Sequence, residues 1–303
     1  MSILSAPHFH SETAAYARLE EIVWPNGPVC SHCGGVDRIT PVKARIGLRR
    51  CGDCKKQFRV TVGTVFEDSK VPLHKWFQAA HLLASSKKGI SSHQLHRTLN
   101  VTYKTAWFMS HRLREAMMGG NGGTIGGPGK IVEADETFYV NKKGFSKKSG
   151  VGRKMVVVSL VERGGPLRST IIDSVSRPDV ERIVKQNVSR ESQLMTDDAA
   201  YYKTIGKGFA GHGSVNHSAG EYGRGDVHVN TLESIFSVFK RGVKGVYQHC
   251  GEQHLHRYVA EFDFRYNNRT AMGVEDSTRT ARALAGIVGK RLTYRRAGGK
   301  TAA

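Results

Sequence analysis

Residues 131–139, IVEADETFY, alternate in a way that suits a strand carrying acids on one side. Successive side chains of a strand point to opposite faces, so Glu133 and Asp135 share a face. Two further runs rich in β-branched residues follow, Met155–Glu162 and Leu167–Asp173, each set off by Gly or Pro. They predict three strands close together in the chain.

Beyond them the pattern lengthens. Ser176 and Pro178 mark the start of a helix running over Pro178–Val188, because Ser caps a first turn and Pro is tolerated there. A fourth strand is predicted at Gln193–Thr196 and a fifth near Asp226–Val229. Helices are predicted over Thr231–Arg241 and from about Glu252 to Tyr266. That order predicts a mixed α/β sheet of the ribonuclease H-like type.

Three acids fall where such a sheet would gather them: Asp135 on the first strand, Asp197 at the end of the fourth, and Glu233 on the helix beyond the fifth. Converging carboxylates suit magnesium or manganese, hard ions that prefer oxygen ligands. Two such ions would activate an attacking hydroxyl and stabilise the leaving oxygen of a phosphodiester. Asp197 and Glu233 have 35 residues between them, and Lys240 follows Glu233 by seven, two helical turns on, where it can meet a phosphate. Asn230 shares that helix face as a lower-ranked metal contact. Glu133, Glu136 and Asp198 remain alternatives, since each neighbours a chosen acid.

The run 119–129, GGNGGTIGGPG, cannot hold a helix or strand and is expected to be a flexible linker. It divides the chain into residues 1–68 (a helix near Thr13–Val23 and a cysteine module), 69–118 (a helical region), 119–129, 130–270 (the mixed sheet) and 271–303 (a basic tail). The tail carries Lys290, Arg291, Arg295, Arg296 and Lys300. The fold class expected is thus multidomain α/β.

Cys30-Ser-His-Cys33 and Cys51-Gly-Asp-Cys54 are two C-x-x-C knuckles with 17 residues between them. Paired knuckles at this spacing make a tetrahedral four-sulfur site for one structural zinc ion, with no open position for catalysis. A β-rich stretch is expected to continue over Phe58–Phe66. Arg45, Arg49, Arg50, Lys55, Lys56 and Arg59 crowd the second knuckle and are candidate phosphate contacts. The fifth cysteine, Cys250, is read as a packing residue.

Leu73–Ala84 carries an apolar face with Trp76, Phe77, Ala80 and Leu83. A helix over Ser91–Leu99, a short turn at Asn100, and a second helix from Thr102 to about Met118 then form a helix-turn-helix pattern, whose second helix enters the major groove. Tyr103, Lys104, His111, Arg112 and Arg114 are expected to face outward, and Ala106, Met109 and Leu113 inward.

The charge supports a polyanionic partner: 46 Lys plus Arg against 26 Asp plus Glu leave a net charge of +20. No apolar run is long enough to span a membrane and no signal peptide is evident, so a cytoplasmic protein is expected.

VEADETFY, TDDAAY, HVNTLESIFSVFKRG and HLHRYVAEFDFRYNNR resemble the blocks of the zinc-ribbon branch of bacterial insertion-sequence transposases, of the D-D-E superfamily. The resemblance implies a triad of Asp135, Asp197 and Glu233 acting with divalent metal on the element's terminal inverted repeats. It implies in-line cleavage that exposes 3′-hydroxyls, their attack on target DNA, and a homo-oligomer that brings two ends together. Some members of the branch carry Asn as the third residue, which keeps Asn230 in view. The rival readings are a DNA-binding regulator that has lost catalysis, a ribonuclease H-like nuclease that cuts without joining, and a basic structural nucleic-acid binder that would not need the carboxylates.

Overall fold

The computed structural model describes residues 3–119, 122–141, 154–248 and 250–293. The chain forms two compact units, Met1–Met118 with Gly273–Ala303, and Gly119–Met272. The architecture is multidomain α/β. Among the described residues no helix is long and apolar enough to cross a membrane.

In the first unit, helix α1 (Glu12–Val23) starts where Ser11 accepts a hydrogen bond from the Ala14 N–H. A small antiparallel sheet follows, with β2 (Arg49–Cys51) between β1 (Ile39–Pro41) and β3 (Gln57–Phe58). The β-rich stretch expected to reach Phe66 stops at Phe58. The chain then turns on hydrogen bonds such as Thr64 N–H to the Thr61 carbonyl, with Gly63 at φ 71°. A positive φ and turn bonds are incompatible with a continuing strand.

Helix α2 (Leu73–Ser85) buries Trp76, Phe77, Ala80 and Leu83, the face expected from spacing. Helix α3 (Ser92–Leu99) ends on Asn100, which adopts the left-handed conformation at φ 49°. Thr102 then caps α4 (Tyr103–Met117) by accepting from the Thr105 N–H at 3.1 Å. The turn between α3 and α4 thus follows from local caps at Asn100 and Thr102.

The expected tail is different in kind. Asp276–Ala285 forms a helix, α9, that packs on α1, α2 and α4 of this unit. Ala283, Leu284 and Ile287 are fully buried, and the Arg279 guanidinium reaches the Ala84 carbonyl at the end of α2. Lys290 donates to the Ala116 and Met118 carbonyls at the end of α4, and Arg291 pairs with Asp68 at 2.7 Å. The apolar residues of 276–287 needed a partner surface, which α2 and α4 supply. Arg295, Arg296 and Lys300 lie outside the described residues.

The second unit is a five-stranded sheet in the order β6-β5-β4-β7-β8. Strands β4 (Ile131–Asn141), β5 (Lys154–Glu162) and β6 (Leu167–Ile172) are antiparallel, while β7 (Gln193–Asp197) runs parallel to β4 and β8 (Gly211–Val215) parallel to β7. Helix α5 (Arg177–Asn187), capped by Ser176, lies between β6 and β7 in sequence, and α6 (Ala200–Ile205) follows β7. Val132, Ala134 and Leu194 face α5 and α6, packed with Val180, Ile183 and Tyr202. The other face is covered by α7 (Asn230–Gly242) and α8 (Leu255–Asn267), with Val157, Val161, Leu232, Phe236, Phe239 and Phe262 between. Cys250 packs partly buried against this cluster.

The fifth strand is Gly211–Val215, not the expected Asp226–Val229, where an isolated bridge joins Arg224 and Val227. Its sequence, GHGSV, has little β propensity of its own; pairing along β7 makes it a strand. The glycine run also departs from a free linker. Gly120 and Asn121 lie outside the described residues, but Ile125 is buried and pairs with Val188, its N–H bonding the Asn187 carbonyl at 2.8 Å. Gly127 N–H meets the Ser192 hydroxyl at 2.9 Å.

Candidate functional site

The two cysteine knuckles close on each other across the small sheet. The sulfurs of Cys30, Cys33, Cys51 and Cys54 all lie within 4.8 Å of one another, and the Cys30–Cys54 and Cys33–Cys51 separations are each 3.7 Å. A zinc tetrahedron with Zn–S bonds of about 2.3 Å has S···S edges of about 3.8 Å. Backbone geometry sets this spacing: Gly34 N–H turns back to the Cys30 carbonyl, and Cys51 N–H bonds the Lys56 carbonyl across Lys55 at φ 62°. Cys30 and Cys51 are buried against Phe58 and Trp24. The four thiolates form a structural zinc site with no position open to a substrate.

In the second unit the acids gather by register. Glu133 sits beside Met195 in the parallel β4–β7 pair. Two residues further along each strand, Asp135 and Asp197 emerge side by side on the face that α7 covers. Asp197 accepts the Ala199 N–H at 3.1 Å, which fixes the turn after β7. Glu233, in the first turn of α7, lines an open cleft with Asp135, Thr137, Phe236, Lys240, Arg241 and Lys244. Asp197 and Asn230 are not among the residues lining that cleft, and Asn230 is exposed.

Electrostatics marks the same place. Burial, then Glu136 and Asp197, push the Asp135 carboxyl up to about 8, and Glu233 adds to the repulsion. Asp197 is also raised, first by burial and then by Asp198, although His217 opposes the shift. Carboxyls that resist ionisation until a cation arrives are a donor set for hard divalent ions. Among the described residues the cysteines are the group of three or more ligand atoms drawn within 4.8 Å; the acids stand wider apart.

The alternative acids take other roles. Glu136 also borders the cleft, but its carboxylate is engaged by tyrosines: the Tyr202 hydroxyl donates to it at 2.9 Å and Tyr201 also bonds it. Burial raises it to about 7. Glu133 is wholly buried, its oxygens taken by Arg163, Thr231 and the Leu232 N–H.

One residue had no signal in the sequence. His217, in a short 3-10 turn after β8, places Nδ1 3.5 Å from a Glu233 oxygen and stacks on the exposed Tyr222 ring. Its Nε2 is buried without a hydrogen-bond partner among the described residues. It lies in a glycine-punctuated loop whose path no periodicity reveals. Arg241 and Lys244, the latter in a π-helical turn over Val243–Tyr247, were likewise not singled out.

The expected basic contacts divide. Arg50, Lys55 and Lys104 are exposed, and Lys240 is half-buried in the cleft. Arg49 instead makes a two-pronged pair with Glu20, at 2.9 and 2.5 Å, tying β2 to α1. Arg112 and Arg114, expected outward with His111, are buried. Arg112 donates to the Leu292 and Glu67 carbonyls at 3.0 Å each and stacks on Phe108; Arg114 donates to Ser110. The face of α4 that carries them is covered because α9 and its flanking residues return to this unit. Only the first turn of α4, with Tyr103 and Lys104, is left exposed.

Comparison with known proteins is consistent across both units. Residues 126–267 match the ISXO2-like transposase domain and residues 10–57 the transposase zinc-ribbon domain. The chain is 32% identical over 277 residues to the "Uncharacterized protein in transposable element ISH50" of Halobacterium salinarum, covering 85% of this chain and 91% of that one.

Proposed function

The chain belongs to the ISXO2-like transposase family, and from that premise we propose that it cuts and joins DNA at the ends of an insertion sequence, using Asp135, Asp197 and Glu233 on a ribonuclease H-like core. The observation that carries this reading is the parallel register of β4 and β7, which brings Asp135 and Asp197 to one face beneath Glu233 of α7. The strand order, three antiparallel strands followed by two parallel ones, supports the core assignment.

The residues divide the labour by chemistry. Asp135, Asp197 and Glu233 would hold two magnesium or manganese ions; Asn230 ranks below Glu233 because a neutral amide is a weaker ligand for a hard cation than a carboxylate. When bound, the ions supply charge neutralisation at the scissile phosphate and a more acidic attacking hydroxyl. Lys240, with Arg241 and Lys244 beside it, grips the phosphate backbone along the cleft wall. Phosphoryl transfer by direct in-line attack needs no protein nucleophile, so the remaining task of the chain is positioning.

Sequence recognition falls to the first unit. The exposed first turn of α4, with Tyr103 and Lys104, enters the major groove of a terminal inverted repeat, while Arg50 and Lys55 of the zinc ribbon hold phosphates. Joining two ends to one target calls for a homo-oligomer on DNA, acting in the cytoplasm at the nucleoid.

The experiment is strand transfer with labelled element-end DNA and magnesium, wild type against Asp197→Asn. Joined products from wild type, absent from the variant, are expected. Nicking without joining would replace this reading with a nuclease. End binding with no cleavage by either protein, in magnesium or manganese, would replace it with a regulator.

A further inference from the structure

We propose that Glu133, two residues before Asp135 on β4, is the positioning residue that sets Glu233 over the cleft, by capping α7 from a different element. The inference rests on the cleft reading above and concerns how its third carboxylate is held.

A helix begins with backbone N–H groups that have no partner inside the helix. Val229, at the cap position of α7, has no side-chain oxygen to offer. Glu133 supplies it. One carboxylate oxygen accepts the Thr231 hydroxyl at 2.9 Å and Arg163 Nε at 2.7 Å; the other accepts the Leu232 N–H at 3.1 Å. The carboxylate is 0% exposed, so these bonds are shielded from competing water. Its negative charge also meets the positive end of the helix, which strengthens the cap.

The same cluster fixes the chain entering the helix. Arg163 Nη2 bonds both His228 Nδ1, at 3.0 Å, and the His228 carbonyl, at 2.9 Å. Leu232, gripped by Glu133, is the residue immediately before Glu233. Glu133 therefore links the strand carrying Asp135 to the helical turn carrying Glu233. Glu233 is itself exposed and pairs with His217 at 3.5 Å, so its place is set mainly by the backbone beneath it. Without the cap, the first turn of α7 frays and the Asp135–Glu233 separation is no longer fixed.

The test uses full-length, zinc-loaded protein and Mn2+ as the probe, read by electron paramagnetic resonance. Wild type, Glu133→Gln, Thr231→Ala and Asp135→Asn are compared, with circular dichroism melts and end-DNA binding alongside. Glu133→Gln is expected to weaken Mn2+ binding at least tenfold while end-DNA binding stays within twofold. Cleavage should then be restored by saturating Mn2+, a change in apparent KM for metal with kcat kept. Thr231→Ala, which removes one donor and leaves the carboxylate its other bonds, is expected to weaken Mn2+ about threefold.

Wild-type Mn2+ affinity in folded Glu133→Gln overturns the proposal. If that variant does not fold, Thr231→Ala decides: unchanged affinity overturns it and a threefold loss upholds it. If Asp135→Asn binds Mn2+ like wild type, the cleft reading itself is wrong, and the positioning role falls with it.

Discussion

Replacing Leu284 by alanine should destabilise the N-terminal unit, although the residue lies 155 positions beyond the end of the glycine run that follows that unit's helices. Leu284 is 0% exposed in α9, which packs on α1, α2 and α4. Truncating a fully buried leucine costs about 2–5 kcal/mol through lost transfer energy and a residual cavity. A loss of about 3 kcal/mol in a unit of this size lowers Tm by about 6–12 °C. The chain provides its own reporter, since Trp24, Trp76 and Trp107 all lie in the first unit. A thermal melt followed by tryptophan emission therefore reads that unit. Gly286→Ala is an independent probe of the same contact: its added Cβ would sit 2.2 Å from the Ala116 carbonyl oxygen, so α9 must move away from α4. Tryptophan melts of both variants within about 1 °C of wild type would refute the assignment of α9 to this unit, because an overpacked contact alone costs about 1–3 kcal/mol.

In the glycine run, Gly126→Ala should destabilise the second unit and Gly122→Ala should not. A Cβ at Gly126 (φ 85°) meets Ser192 Oγ at 2.0 Å, whereas one at Gly122 meets nothing within 4 Å; urea melts by circular dichroism compare them. Removing zinc with a chelator, or Cys51→Ser, should unfold the ribbon and change the emission of Trp24, which packs edge-on against Phe58 at 5.8 Å. Cobalt substitution checks the four-sulfur coordination. Metal affinity of the cleft should rise with pH up to about 8, by up to about tenfold per unit, because a bound ion displaces the proton that Asp135 holds. The sign for stability is opposite in the metal-free protein: the folded acid keeps its proton to about 8 while the unfolded one releases it near 3.8, so stability falls as pH rises through that window. Mn2+ titrations from about pH 6 to about pH 8 measure the first effect, and Asp135→Asn should abolish it. Lys104→Ala should weaken end-DNA binding and lower its salt slope by about 1 without altering the melt, whereas Arg112→Ala should lower the melt.

Much of the molecule was legible locally because local physics decides it. Paired cysteine knuckles specify a tetrahedral sulfur site whatever surrounds them. Ser176, Asn100 and Thr102 end or start helices through bonds to backbone within a few residues. Alternation along β4 already placed Glu133 and Asp135 on one face. What the sequence could not decide depends on which surfaces meet. Arg112 and Arg114 lie on α4 with the spacing of a recognition helix, yet α9 and the segment after it cover them. Arg49 was one arginine in a basic cluster until Glu20, on another element, engaged its guanidinium. GHGSV becomes a strand only because β7 offers an unpaired edge. His217 reaches Glu233 through a loop whose path no pattern encodes. Glu133, Asp135 and Glu136 are alike in side-chain type and lie within four consecutive positions. Tertiary structure alone gives them a helix start, an open cleft and two tyrosine hydroxyls to face, because the partner of a buried carboxylate is a matter of position in space.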